Sequence, residues 1–255
     1  MRLPVIIIAM SLLMGCVSKK EAQWIQLFNG KDLTGWDVKI THHPLNDNYK
    51  NIFRVENGVL RGTFEDLDSF RGEFGHIFYN QKFSDYILRV EYRFTGEQCP
   101  GGPSWGLRNS GAMLHSQSAE SMGLDQDFPV SIEAQFLGGL GTGERTTANV
   151  CTPGTDIDMD GKQVEAHCTN SHSKTYNGDQ WVTVEMIVHG DSIVHHVIAG
   201  DTVISYGHLR IGPGLKDPGF TVADGTPLKE GYISLQAESH TVEFRKVELL
   251  DLSGK

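Results

Sequence analysis

The stretch Tyr86-Ile87-Leu88-Arg89-Val90-Glu91-Tyr92-Arg93-Phe94 decides the fold class of this 255-residue chain. Apolar and aromatic side chains occupy every second position, and the residues between them are mostly charged. In a β-strand, successive side chains point to opposite faces of the sheet. The stretch therefore predicts a long strand with one buried face.

The same alternation recurs along the chain, and helical periodicity is scarce. Three turn signals indicate hairpins: Asn57-Gly58, residues 199–201 and Asp160-Gly161. A short helical turn is expected near residues 120–123, where the alternation stops. The pattern predicts an all-β domain, most economically a single β-sandwich of the jelly-roll type. Further alternating stretches cover residues 182–188, 232–235 and 241–249.

The first residues of the chain have the features of a targeting segment. Arg2 precedes an apolar run over residues 5–14, which is too short to span a bilayer. The run closes on Leu13-Met14-Gly15-Cys16, a lipobox-like sequence with a small residue directly before a cysteine. The segment predicts a lipoprotein signal peptide over residues 1–15. A plain secretory signal with an incidental cysteine is the alternative.

Cleavage before Cys16 would make this cysteine the acylated first residue of the mature chain. Residues 16–23 then form a short polar tether, and residues 24–255 form the folded domain. We expect a protein of the cell envelope, anchored to the membrane through Cys16. The residue after Cys16 is not Asp, which favours the outer membrane of a Gram-negative bacterium.

Charge and cysteine content narrow the possible partners and the redox environment. The formal net charge of −10 and the lack of a basic patch argue against a nucleic-acid partner. Cys151 and Cys168 flank the Asp160-Gly161 turn and fall two residues out of register across it. A bulge near Pro153 would absorb that difference, so the spacing predicts a Cys151–Cys168 disulfide. Cys99 is left as a free thiol, unless this pairing is wrong.

Three strands each present polar residues on one face. In residues 131–137, apolar side chains alternate with polar ones, and similar patterns occur at 109–115 and 232–238. Such faces bind sugars, because carboxylates and amides hydrogen-bond the hydroxyl groups. The alternative is an ordinary solvated sheet face. The polar candidates are Asn109 and His115 on one strand, Glu133 and Gln135 on the second, and Gln236 and Glu238 on the third.

Several other sites fit the sequence less well. The chain does not contain the His-Glu-x-x-His zinc motif. Residues 156–161 resemble the start of a calcium loop, but position twelve is His167 and a hairpin explains the segment better. The Gly-rich loops at 96–106 and 138–143 are long for turns, and such loops are frequent binding sites.

The order of five motifs resembles the 3-keto-disaccharide hydrolase domain family over about residues 24–252. The resemblance implies a concanavalin-like, jelly-roll β-sandwich. It also implies hydrolysis of 3-keto-glycosides or 3-keto-disaccharides, here outside the cytoplasm. The motifs are residues 27–36, Asn109-Ser110-Gly111, Glu133-Ala134-Gln135, residues 231–238 and residues 242–247.

The implied chemistry follows from the ketone at sugar C3. The ketone acidifies the hydrogen on C2, because the resulting carbanion delocalises into the carbonyl group as an enolate. A base removes this proton, the C1 substituent leaves by elimination, and water then adds back. The site needs a base, a group that stabilises the enolate oxygen, and an acid for the leaving group.

The resemblance also assigns roles to individual residues. Glu133 is the first candidate for the catalytic base. His115 is the second, although many relatives carry Arg at this position. Arg145, after the second Gly-rich loop, would stabilise the enolate as a fixed cation, or form a surface salt bridge instead. The residues expected to bind substrate are Asn109, Gln135, Arg145, Gln236 and Glu238.

The sequence alone does not decide whether the domain uses a cofactor, or whether it is an enzyme, a carbohydrate-binding protein or a scaffold. A divalent metal ion would suit enolate stabilisation, although the sequence contains no clear ligand set. A non-catalytic carbohydrate-binding lipoprotein would use the same sandwich without any base. A surface scaffold that binds other proteins is a third alternative, and it predicts no sugar binding.

Overall fold

The computed structural model describes residues 23–254. The predicted signal peptide, the lipid anchor at Cys16 and nearly all of the 16–23 tether lie outside the described residues. The described part is built from strands, with only three single turns of 3-10 helix. None of these turns is long or apolar enough to cross a lipid bilayer.

The strands form two antiparallel sheets, one of ten strands and one of seven. The ten-stranded sheet contains β1 (Trp24–Gln26), β3 (Phe53–Glu56), β4 (Val59–Gly62), β6 (Asp85–Gln98), β10 (Thr155–Met159), β11 (Lys162–Gln163), β13 (Val182–His189), β14 (Ile193–Ile198), β15 (Asp201–Ile211) and β17 (His240–Asp251). The seven-stranded sheet contains β2 (Trp36–Ile40), β5 (Gly75–Phe83), β7 (Asn109–Ser116), β8 (Ile132–Leu137), β9 (Asn149–Cys151), β12 (Cys168–Thr169) and β16 (Gly231–Ala237).

The order of strands confirms the jelly-roll β-sandwich. In the larger sheet it is β11-β10-β15-β14-β13-β6-β17-β4-β3, with β1 paired to β17. In the smaller sheet it is β12-β9-β8-β7-β16-β5-β2. All three predicted hairpins form, as β3–β4, β14–β15 and β10–β11. The 3-10 turns span Tyr49–Asn51, Ser104–Gly106 and Ala119–Ser121, and the last confirms the short helical turn expected near residues 120–123.

The alternating stretch 86–94 lies in β6, at the centre of the larger sheet between β13 and β17. Its apolar residues are fully buried between the two sheets, as the alternation requires. Tyr92 on β6 stacks on Phe136 of β8, with ring centroids 4.4 Å apart and ring planes 9° from parallel. This stack joins the two sheets and fixes which face of β8 points into the core.

The outer face of the seven-stranded sheet follows directly from that packing. Ile132, Ala134 and Phe136 are core residues with no exposed surface. Glu133 and Gln135 alternate with them, so their side chains point away from the core. The sequence prediction for this strand is confirmed.

The structure contains the predicted disulfide between Cys151 and Cys168. The two cysteines face each other directly on β9 and β12, with 4.1 Å between their Cα atoms. The two-residue offset is absorbed where the chain crosses from β9 in one sheet to β10 in the other, at residues 152–154. Cys99 is buried and has no disulfide partner among residues 23–254.

We expect the Cys151→Ser/Cys168→Ser variant to lose about 3 kcal/mol of unfolding free energy, because the bridge joins two residues that are 17 positions apart and so restricts the unfolded chain. Urea denaturation of both proteins measures the loss. Wild-type protein in reducing agent should match the variant. Equal stability of the oxidised wild type and the variant would show that the bridge does not constrain the unfolded chain.

Candidate active site

A cavity of about 430 Å³ opens on the outer face of the seven-stranded sheet. Pockets of this size accommodate small organic ligands. It brings together residues from β7, β8, β9 and β12, the residue after β16, and five segments that connect strands. Its lining residues are Trp105, Asn109, Phe128, Glu133, Gln135, Leu137, Arg145, Cys151, Pro153, His167, Cys168 and Glu238.

Five of the seven residues predicted to act on or bind substrate line this one cavity. Four of them lie on or directly after strands far apart in the sequence, which the sheet order β8-β7-β16 brings together, and Arg145 lies in the loop after β8. The five are Asn109, Glu133, Gln135, Arg145 and Glu238. The predicted convergence of the three polar strand faces is therefore present in the structure for these residues.

Glu133 lies across the backbone of Gly111 on the neighbouring strand. A Cβ atom at position 111 would come within 2.6 Å of Glu133 Oε1 and 2.8 Å of its Cγ. No side chain fits there unless the carboxyl group moves. The glycine of the Asn109-Ser110-Gly111 motif thus leaves room for the Glu133 side chain.

The other two motif residues point to opposite faces of β7. Ser110 faces the core side, where its Oγ donates a hydrogen bond of 2.7 Å to the backbone oxygen of Gln236 and ties β7 to β16. Asn109 faces the cavity near the Glu238 carboxyl group, and its amide acts to lower the pKa of that group. The motif therefore bears on both carboxyl groups of the cavity.

Burial favours the protonated form of both carboxyl groups of the cavity. Burial raises the pKa of Glu133 to about 8. Burial also raises the pKa of Glu238 well above its ordinary value, and the nearby charge of Glu133 raises it further. The Asn109 amide and the charge of Arg145 act in the opposite direction. Groups with such strongly shifted pKa values are typical of catalytic sites.

Several buried polar atoms on this face have no hydrogen-bond partner within residues 23–254. They include Asn109 Oδ1 and Glu238 Oε2 at the cavity. The set continues along the sheet with Ser234 Oγ, both amide atoms of Gln236 and both ring nitrogens of His76. Buried polar groups in native proteins nearly always have a partner. Their concentration here indicates a surface that a polar ligand or ordered water completes.

Arg145 anchors the loop after β8. Its Nη1 donates hydrogen bonds to the backbone oxygens of Leu107 at 2.8 Å and Gly138 at 2.7 Å. It forms no salt bridge with a carboxylate of the described chain, so the surface ion pair considered above is absent there. The guanidinium group adds a positive charge to the cavity wall.

His115 does not reach this cavity. Alternation predicts that it shares a face with Asn109 and Met113, and that prediction is wrong. A register shift between β7 and β16, with a positive φ of 49° at His115, interrupts the alternation. The ring instead packs edge-on against the core residue Tyr86, and its Nε2 lies 3.1 Å from the Gly190 backbone oxygen.

Of the two glutamines predicted to bind substrate, Gln135 reaches the cavity and Gln236 does not. Gln135 lines the cavity, and its Oε1 accepts a hydrogen bond of 3.1 Å from Asn149. Gln236 is fully buried beside His76 of β5 and is not on the cavity wall. Gln236 therefore lies behind the cavity, although it shares the outer face of the sheet with Glu238.

Sequence reasoning missed the aromatic wall of the cavity. Trp105 is 50% exposed and stacks on Phe74, with ring centroids 5.6 Å apart and planes 12° from parallel. Phe128 packs on the same ring at 5.1 Å. Exposed aromatic faces suit the C–H side of a sugar ring. Trp105 belongs to the Gly-rich loop 96–106, a type of loop in which binding sites are frequent, whereas no local pattern marks Phe128.

The described residues include no group of three or more His, Cys, Asp or Glu side chains arranged to hold a metal ion. The cavity does offer oxygen donors from Asn109, Glu133 and Glu238, the type that hard divalent cations prefer. When bound, such a cation would stabilise an enolate oxygen. The calcium-loop-like segment 156–161 is the β10–β11 hairpin, and its Asp158 pairs with Arg210 at 2.9 Å.

Solved structures with the same fold include two proteins of Parabacteroides distasonis ATCC 8503, both provisionally described as glycosyl hydrolases. The first is 21% identical, with a TM-score of 0.53 over 90% of this chain and 94% of its own. The second is 16% identical, with a TM-score of 0.52 over 90% and 100%. The carbohydrate-binding module CBM66 of Bacillus subtilis is more distant, at 9% identity and a TM-score of 0.41 over 89% and 95%. For the two Parabacteroides proteins, identities this low show a shared fold alone.

The sequence itself matches a family model over residues 23–250, nearly the whole described chain. That range contains both carboxyl groups of the cavity, the Asn109-Ser110-Gly111 motif and the disulfide. No curated protein sequence matches the chain. The chain belongs to the 3-keto-alpha-glucoside-1,2-lyase-like domain family.

Proposed function

We propose that this domain cleaves 3-keto-glycosides or 3-keto-disaccharides by elimination of the C1 substituent, followed by addition of water. One observation carries the proposal: the Glu133 and Glu238 carboxyl groups lie buried in the wall of a cavity of about 430 Å³ that also has an aromatic side. Family membership supports the same substrate class. The net charge of −10 disfavours a nucleic-acid partner.

Glu133 acts as the base in this account. Its carboxylate takes the proton from C2, and the C2–H electrons form the enolate. The enolate then expels the C1 oxygen substituent, which gains a proton from solvent or from the site. A carboxylate with a pKa of about 8 is a stronger base than an ordinary one, which suits a weakly acidic C–H bond.

Glu238 and Arg145 stabilise the enolate oxygen. A carboxyl group that burial keeps protonated donates a hydrogen bond where negative charge develops, a strategy known from ketosteroid isomerase. Arg145 adds a fixed positive charge near that group. Both effects are strongest where the reacting groups are buried from water, as Glu133 and Glu238 are. Gln135 and Asn109 supply further hydrogen bonds to sugar hydroxyls.

The cellular location proposed from the sequence completes the account. A lipid anchor on Cys16 would hold the domain on the cell-envelope membrane, where it meets glycosides outside the cytoplasm. The Cys151–Cys168 disulfide is compatible with an oxidising compartment. The oxidation that creates the C3 ketone would be carried out by a separate enzyme.

The purified protein should release the aglycone from a 3-keto-glucoside, assayed with and without added divalent metal. Glu133→Gln should lower the rate at least about 100-fold, the usual size of a general-base effect, because an amide cannot accept the C2 proton. Glu120→Gln, at an exposed 3-10 turn outside the cavity, is the matched control and should retain wild-type activity.

Absence of release by the wild type under all metal conditions would reject the enzymatic account. Sugar binding without turnover would instead favour the carbohydrate-binding module. Full activity of Glu133→Gln would remove Glu133 from the chemistry. Circular dichroism of each variant separates these results from unfolding.

Gly111→Ala should reduce kcat by about 100-fold while the fold is retained, because an added methyl group displaces the Glu133 carboxyl group by about 1 Å. Gly214→Ala is the control, because its Cβ would meet no atom within 4 Å. Aglycone release measures both. Unchanged activity of Gly111→Ala would show that the position of Glu133 over Gly111 is not required.

A further inference from the structure

His167 lies on the wall of the cavity opposite the sheet centre, and none of the roles assigned above uses it. The register Glu133–Cys151–Cys168 places Cys168 two strands away from Glu133. Two strand spacings amount to about 10 Å. His167 directly precedes Cys168, so it lines the same cavity as Glu133 but from the edge of the sheet.

Three local interactions fix the position of this histidine. The disulfide ties the neighbouring Cys168 to β9. The His167 backbone oxygen accepts hydrogen bonds from Thr152 N at 2.9 Å and Thr152 Oγ1 at 3.3 Å. β12 is only two residues long and lies at the edge of the sheet, so these bonds provide much of its attachment. These contacts fix the backbone at His167, and the residue lines the cavity from that position.

The ring has the chemical character of a base. Partial burial lowers the pKa of His167, so its imidazole is neutral at neutral pH. A neutral imidazole has one nitrogen free to accept a proton. Among the other polar side chains of the cavity, Arg145 has no acceptor, and both Glu133 and Glu238 already have roles. This leaves His167 as the group that could accept a proton during the hydration step.

We propose that His167 is the general base that activates water in the hydration step, and that it determines whether the enzyme acts as a hydrolase or as a lyase. This proposal rests on the proposed function. After elimination, the substrate carries a C1=C2 double bond conjugated to the C3 ketone. Without an activated water, the reaction stops at that unsaturated ketone and the domain is a lyase.

In the hydration step, water adds across the C1=C2 double bond. The water oxygen bonds to C1 while one of its protons passes to the His167 imidazole. The C1=C2 electrons move into the enolate, and protonated Glu133 returns its proton to C2. His167 then releases the extra proton to solvent, which offsets the proton taken up by the leaving group. The products are the 3-keto sugar and the free aglycone.

The test supplies the unsaturated 3-keto sugar directly and follows its hydration by NMR, beside a separate assay of aglycone release from the intact 3-keto-glucoside. His167→Asn and His167→Gln should lower hydration by about 100-fold, the usual effect of removing a general base. In both variants hydration should fall by a much larger factor than aglycone release, so the unsaturated ketone should accumulate. His172→Asn, at an exposed position outside this cavity, is the matched control.

The two assays separate this inference from the proposed function. Wild-type hydration rates in both His167 variants would overturn the role of His167, as would equal losses in the two assays. A wild-type protein that releases the aglycone but never hydrates the unsaturated ketone would also overturn it, and would identify a lyase. Failure of the wild type to release the aglycone would instead reject the proposed elimination.

Discussion

The stack of Phe136 on Tyr92 is the contact on which the rest of the site depends. It locks one face of β8 against the core strand β6, with 4.4 Å between ring centroids. Because side chains alternate along a strand, burying Phe136 necessarily turns Glu133 and Gln135 outward. A one-residue slip of β8 would bury Glu133 in the core and expose Ala134. The apolar core thus sets the position of the catalytic candidate before any polar contact forms.

The same arrangement carries an energetic cost that only function explains. Burial raises the pKa of Glu133 from 4.5 to about 8, so the folded chain retains a proton that the unfolded chain releases between these values. By linkage, the contribution of Glu133 to stability falls as pH rises across that window. Glu238 has the same direction of shift. Both carboxyl groups therefore reduce stability near neutral pH, and buried polar atoms without partners lie beside them. This combination is typical of a binding site rather than of a solvated sheet face.

Much of the fold could be predicted from local sequence, because it depends on patterns of period two and on turn residues. The long strand β6, three hairpins and the Cys151–Cys168 bridge all follow from such patterns. His115 was misplaced because a single positive φ within β7 breaks the alternation, and no residue type marks that position. Trp105, Phe128 and His167 lie in loops, and only the three-dimensional arrangement brings them to Glu133. Their contribution could not be read from spacing along the chain.

Proton removal from C2 is the central chemical claim, and it can be measured without a leaving group. A 3-keto sugar that lacks a C1 substituent should exchange its C2 hydrogen for deuterium in D₂O when the protein is present. NMR should show exchange that accelerates as pH rises through about 8, where Glu133 ionises, and Glu133→Gln should remove this acceleration. No catalysed exchange at any pH, or the same pH dependence in Glu133→Gln, would contradict the account.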